Sequence, residues 1–161
     1  MTDDVSATHD VPTPASAPAP TSIRPGVAAV LFDHAGRVLL HQRRVGGGWA
    51  PPSGTVEIGE TVLAALHREL REETALAATV ERVVGVYSDA SYMVVAYPDG
   101  RVVHFVTTLF VCRVVGGALV GNEEGLAWDW FPPGALPADL TAYARVWLAD
   151  ALSELGHVVS R

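Results

Sequence analysis

Three glutamates spaced to share one helix turn, Glu69, Glu72 and Glu73, with Leu63, Leu66 and Leu70 beside them as an apolar stripe, constrain this chain more than any other feature. Residues at i, i+3 and i+4 lie on one helix face, so a helix beginning near Glu60 or Thr61 gathers the carboxylates while the leucines dock it on a core. Like charges at those spacings cost about 0.2–0.5 kcal/mol per pair, and Arg68, four residues before Glu72, is the obvious local relief. A solvated acidic face is the usual meaning of such a run. Here, however, a fourth acid, Glu60, and a loop opened by Gly54 precede the helix, and a solvated face needs neither. An all-oxygen ligand set suits a hard cation such as Mg2+ or Mn2+ better than Zn2+, which takes His or Cys partners. His67 is two residues from Glu69 and so points away from the acid face, as a surface histidine.

From Gly54 to Leu76 the residues fit the pattern Gly-x5-Glu-x7-Arg-Glu-U-x-Glu-Glu-x-Gly-U, with U a bulky aliphatic. Gly54, Glu60, Arg68, Glu69, Leu70, Glu72, Glu73 and Leu76 fall in place, and Ala75 stands where the last glycine belongs. Background frequencies make a chance match about a one-in-a-million event in a chain of this length, so accident is a poor explanation. The run resembles the signature of the Nudix hydrolases.

That resemblance implies an α/β fold, the Nudix α/β/α sandwich with a mixed β-sheet between helices, over about Pro25 to Leu155. It implies divalent-metal-dependent hydrolysis of a pyrophosphate linkage in a nucleoside diphosphate derivative or a nucleoside triphosphate, with Mg2+ or Mn2+ as cofactor. Residue by residue, Glu69 and Glu73 are the first metal ligands and Glu72 is a further ligand or the general base. Arg68 orients the neighbouring glutamates, and Glu60 anchors the loop or completes the site through water. Gly54 is placed with the substrate-binding residues, giving close backbone approach, and its carbonyl is a candidate for the metal shell. Glu124, within Asn122-Glu123-Glu124, matches the place of another loop acid that acts as ligand or base; an exposed turn is an equal reading. Ala75 occupies a position that closes a helix in the left-handed conformation, which costs alanine about 1–2 kcal/mol. Ser53 replaces a second glycine and leaves the loop shape open. The alternative within the family is a nucleotide-metabolite sensor without hydrolysis, whose usual mark is a degraded box; here every acid is retained.

Outside the box, Arg43 and Arg44 end a strand ahead of Gly46-Gly47-Gly48 and are candidates for substrate phosphates, with surface roles as the plain alternative. The glycine triplet lacks a following Gly-Lys-Ser/Thr, so a P-loop is not supported. Net charge is −7 and all eleven Lys-or-Arg positions are arginine, so any phosphate clamp must be arginine. That balance disfavours a long nucleic acid and leaves a small nucleotide as the expected partner. A homodimer is left open. Neither a secretory signal nor an 18-residue apolar span is present, and a cytoplasmic protein away from membranes is expected. Cys112, the single cysteine, sits in an apolar run and reads as a buried thiol.

Residues 1–22 read as a disordered Pro/Ala-rich leader and 23–161 as the domain. Val27–Phe32 and Val38–His41 flank a turn and open it as a hairpin. Strands are expected at Thr79–Tyr87, Tyr92–Tyr97, Val102–Val115 and Leu126–Phe131, and a helix from about Ala138 to Leu155. His104, in an apolar strand, reads as a satisfied core or pocket-wall residue. Tyr92 stands about sixteen residues past the box, where ADP-ribose-cleaving relatives tend to carry proline; the residue leaves the substrate open.

Overall fold

The computed structural model describes residues 19–153 and 155–161, so residues 1–18 of the expected leader lie outside the described residues. Nine strands form one mixed sheet: β1 (Ser22–Phe32), β2 (Val38–Arg43), β3 (Trp49–Ala50), β4 (Ser53–Thr55), β5 (Leu76–Tyr87), β6 (Val94–Ala96), β7 (Val102–Gly117), β8 (Gly125–Phe131) and β9 (Val159–Ser160). Among the described residues, helices α1 (Val62–Thr74), α2 (Ala90–Met93) and α3 (Ala142–Leu152) and a 3-10 turn at Pro133–Ala135 accompany the sheet. The main strand order is β3-β2-β1-β7-β5-β9, with β4 on β1, β6 on β7 and β8 on β2. β1 and β7 run parallel over eleven register pairs from Ser22↔Val103 to Phe32↔Arg113, and the β1–β2 and β5–β7 pairings are antiparallel.

Val27 to Leu31 of β1 are all fully buried, as a central strand covered on both faces must be. Alternation sorts them: Val27, Ala29 and Leu31 pack with Ala65, Leu66 and Leu70 of α1, while Ala28 and Val30 pack with Trp147 and Leu148 of α3. The sheet therefore lies between α1 and α3, the expected α/β/α arrangement. The hydroxyl of Thr61 accepts from Ala64 N and caps α1, so the helix starts where the leucine stripe requires.

Several local expectations are revised. The Tyr92–Tyr97 segment is not one strand, because Asp89 caps a single helical turn, accepting from Ser91 N, and leaves only Val94–Ala96 extended. The last helix is shorter than Ala138–Leu155; Thr141 caps it and Ser153 ends it. β1 begins at Ser22, the last residue assigned to the leader, and β9 was not expected at all. Ala75 accepts the left-handed conformation at φ 58°, and its N–H bonds to Arg71 O. Cys112 is buried, which pushes its thiol pKa up to about 12. No described helix is long and apolar enough to cross a membrane.

Candidate active site

Arg68 organises the box. Its Nε donates to Glu60 Oε1 at 2.7 Å and its Nη2 to Glu60 Oε2 at 3.0 Å, a fork-to-fork pair. Nη2 also donates to Thr55 O at 2.9 Å, while Nη1 reaches Glu69 Oε1 at 3.0 Å and Glu72 Oε2 at 3.2 Å. One guanidinium thus ties the loop to three helix or loop acids. The hydrogen bonds from Arg68 hold the Glu60 carboxyl down at about 2, and Glu60 in turn accepts from Glu57 N at 3.0 Å.

Glu69 crosses from α1 to the loop, where its Oε1 also accepts from Thr55 N at 3.1 Å. Gly54 makes the crossing sterically possible, since a Cβ there would stand 1.9 Å from Glu69 Cδ. Glu73, one turn on, is 1% exposed. Neither of its oxygens makes a well-formed hydrogen bond, although the Ser53 backbone and Glu124 lie close by. Burial, then the charges of Glu124 and Glu69, push its pKa up to about 9. Burial also raises Glu69, against the opposing pull of Arg68.

A buried carboxyl facing two other carboxyls without a donor is costly unless a cation compensates it. The donor set is oxygen only, so the residues present fit a hard divalent ion. Among the described residues, no three His, Cys, Asp or Glu side chains already form a ligand cage.

A family model described as "NUDIX domain" matches residues 22–151. The chain belongs to the Nudix family. It is 30% identical over 148 residues to a MutT-like protein of Streptomyces ambofaciens, covering 91% of this chain and 89% of that protein. An ADP-ribose pyrophosphatase of Methanocaldococcus jannaschii is 33% identical over 119 residues, 71% of this chain and 66% of that one. The solved structure of an ADP-ribose pyrophosphatase from Streptococcus suis superposes with TM-score 0.60 at 24% identity, covering 86% and 97% of the two chains, which bears on the fold.

The Nudix box borders a cavity of about 510 Å³ whose wall includes Arg43, Gly54, Glu69, Glu73, Glu124 and Tyr143. Arg43 Nη1 donates to Tyr143 Oη at 2.5 Å, and the guanidinium stands 5.8 Å from the Tyr143 ring centroid. Burial works against the Arg43 charge, but Tyr143, Tyr97 and Glu73 favour it, and its pKa rises on balance. Tyr92 also lines this cavity. Glu72 does not line it; its side chain is 59% exposed and leans on Arg68. Arg44 is exposed but also borders the cavity, its Nε donating to Glu123 O at 2.9 Å. His104 is satisfied away from the cavity, with Nε2 2.6 Å from Ser88 O.

His41 went unnoticed in the sequence. It is 3% exposed, lines the cavity, stacks on Trp128 with centroids 4.5 Å apart, and neither ring nitrogen has a partner. Burial, then Arg43, lowers its pKa to about 4, so the ring is neutral. Its one sequence signal was a polar residue ending the buried β2 run Val38 to Leu40.

Proposed function

We propose that this Nudix domain hydrolyses the pyrophosphate linkage of a small nucleotide, either a nucleoside diphosphate derivative or a nucleoside triphosphate, using Mg2+ or Mn2+ held chiefly by Glu69 and Glu73. The observation that carries the reading is Glu73: buried, without a well-formed hydrogen bond and set against Glu69 and Glu124 on the wall of a cavity that also presents Arg43. Relatives named as ADP-ribose pyrophosphatase, 8-oxo-dGDP phosphatase and RNA pyrophosphohydrolase support pyrophosphate chemistry without choosing a substrate.

When bound, the cation neutralises phosphate charge and favours ionisation of water. Arg43 receives a phosphate oxygen, with its guanidinium oriented by Tyr143. Glu124 takes the proton from the attacking water as the new P–O bond forms, and the bridging P–O bond breaks to release the second phosphate with its electron pair. Arg68 keeps Glu69 and Glu72 in place, and Glu72, exposed beside Arg68, is a further ligand.

The test is a screen of purified protein with Mg2+ or Mn2+ against nucleoside triphosphates, nucleotide sugars, dinucleoside polyphosphates and ADP-ribose, reading released phosphate, pyrophosphate or nucleoside monophosphate. Turnover should require the metal and disappear in Glu73→Gln while circular dichroism stays unchanged. Full activity of that variant would sink the assignment.

A further inference from the structure

We propose that Arg44 is a positioning residue which, together with the His41–Trp128 stack, clamps the 121–125 loop so that Glu124 faces the box carboxylates; the proposal rests on the reading of Glu124 as the base. The acid itself sits on an exposed loop flanked by two glycines, a composition that does not fix a side chain by local preference. Restraints from three other elements converge on it. At the entry, Val120 N donates to Thr74 O at 3.0 Å, tying the chain to the residue after Glu73. Beneath the loop, Gly121 and Gly125 close directly on Trp128, since a Cβ on either would stand 2.1 Å from Cδ1 and 2.5 Å from Nε1 respectively. Trp128 is fixed by its stack on buried His41, at an interplanar angle of 22°.

Arg44 supplies the last restraint twice over. Its backbone N–H donates to Glu124 O at 3.3 Å and its Nε to Glu123 O at 2.9 Å, so one residue holds two successive loop carbonyls. The β2–β8 ladder shifts register between Gln42 and Arg43, immediately before this grip. The Arg44 side chain therefore continues the attachment beyond the point where regular pairing stops. Within the loop, Asn122 Oδ1 accepts from Glu124 N at 3.1 Å. The Arg44 Nε is committed to a loop carbonyl while the side chain borders the same cavity, so setting the place of the neighbouring acid and contacting a phosphate directly are the two roles that kinetics must separate.

Steady-state kinetics of Arg44→Ala, Arg44→Lys, Glu124→Gln and the Arg44→Ala/Glu124→Gln double variant, with melting temperatures alongside, test the clamp. A displaced base predicts that Arg44→Ala lowers kcat by about tenfold or more, with KM held within about twofold and the melting temperature unchanged. Lysine should recover most of the loss, because its ammonium can donate to Glu123 O. In the Glu124→Gln background the Arg44→Ala change should add nothing, as expected for residues acting through one group. A rise in KM at unchanged kcat, or losses that multiply in the double variant, would overturn the clamp in favour of direct substrate contact. Full activity of Glu124→Gln alone would instead remove the base assignment, and the clamp's catalytic role with it.

Discussion

The absent side chain of Gly54 governs how the box acids meet the loop. Its φ is not in the left-handed region, so the requirement is space: an added Cβ would collide with Glu69 Cδ at 1.9 Å, and with Oε1 at 2.1 Å. Gly54→Ala is expected to push Glu69 off the Thr55 N–H and to lower kcat/KM by roughly a hundredfold, as misplacement of about 1 Å does. Initial rates measured beside circular dichroism check this; an unimpaired enzyme would show that Glu69 need not approach the loop. His41 offers a second prediction, on stability. Its pKa is lowered from 6.5 to about 4 by burial and by Arg43, so between those values the unfolded chain binds the proton and the folded one does not. Its contribution is therefore present above about pH 6.5 and is lost as pH falls towards 4. Linkage puts the loss at about 2 kcal/mol between pH 7 and pH 5. Urea unfolding of His41→Phe, which retains an aromatic ring against Trp128, should show a correspondingly flatter pH dependence than the parent chain. Parallel curves for the two would refute the buried neutral imidazole.

At the scale of elements, α1 carries its limits in its own residues: the Thr61 cap, the docking leucines and the Arg68 hub are local. Its closing residue is less favourable. Ala75 sits at φ 58°, where alanine is strained by about 1–2 kcal/mol and glycine is not. Glycine also gives up more chain entropy on folding, about 0.4–1 kcal/mol. Ala75→Gly should therefore stabilise the domain by about 0.5–1 kcal/mol in urea unfolding, with activity unchanged because every proposed ligand precedes it. The box and the two-faced burial of β1 were legible because spacing and continuous apolar character encode them. The elements missed are short and owe their form to distant partners. β9 is two residues that lie against Gly85, where a Cβ would meet Val159 Cγ2 at 2.4 Å. It is followed by Arg161, whose guanidinium binds Asp150, which in turn accepts from Tyr87 Oη. No local propensity announces such a strand. Likewise Glu124 is reached from sequence only through the family resemblance, with an exposed turn as an equal reading, because its nearness to Glu73 depends on contacts between separate elements, such as Arg44 N to Glu124 O, that no local pattern encodes.

Across the whole molecule, charge and burial act together on the same site. The chain carries a net charge of −7, and the fold adds a local demand by burying Glu73 beside other acids. A cation that binds there stabilises the folded state by mass action, because the unfolded chain has no assembled ligands. At about one hundred times its dissociation constant the gain is about 2.7 kcal/mol. For a domain of this size each kcal/mol moves the melting temperature by about 2–4 °C. Saturating Mg2+ or Mn2+ should then raise it by about 5–10 °C. General screening of the surface charge is separated out by matching ionic strength with NaCl, which should give a much smaller shift. Glu73→Gln should lose most of the Mg2+ response while keeping the NaCl response, since it removes a proposed ligand and leaves the surface charge nearly intact. Equal shifts with Mg2+ and NaCl in the parent chain would mean that the acidic helix face is only a solvated surface, and the metal-dependent reading of the box would fall with it.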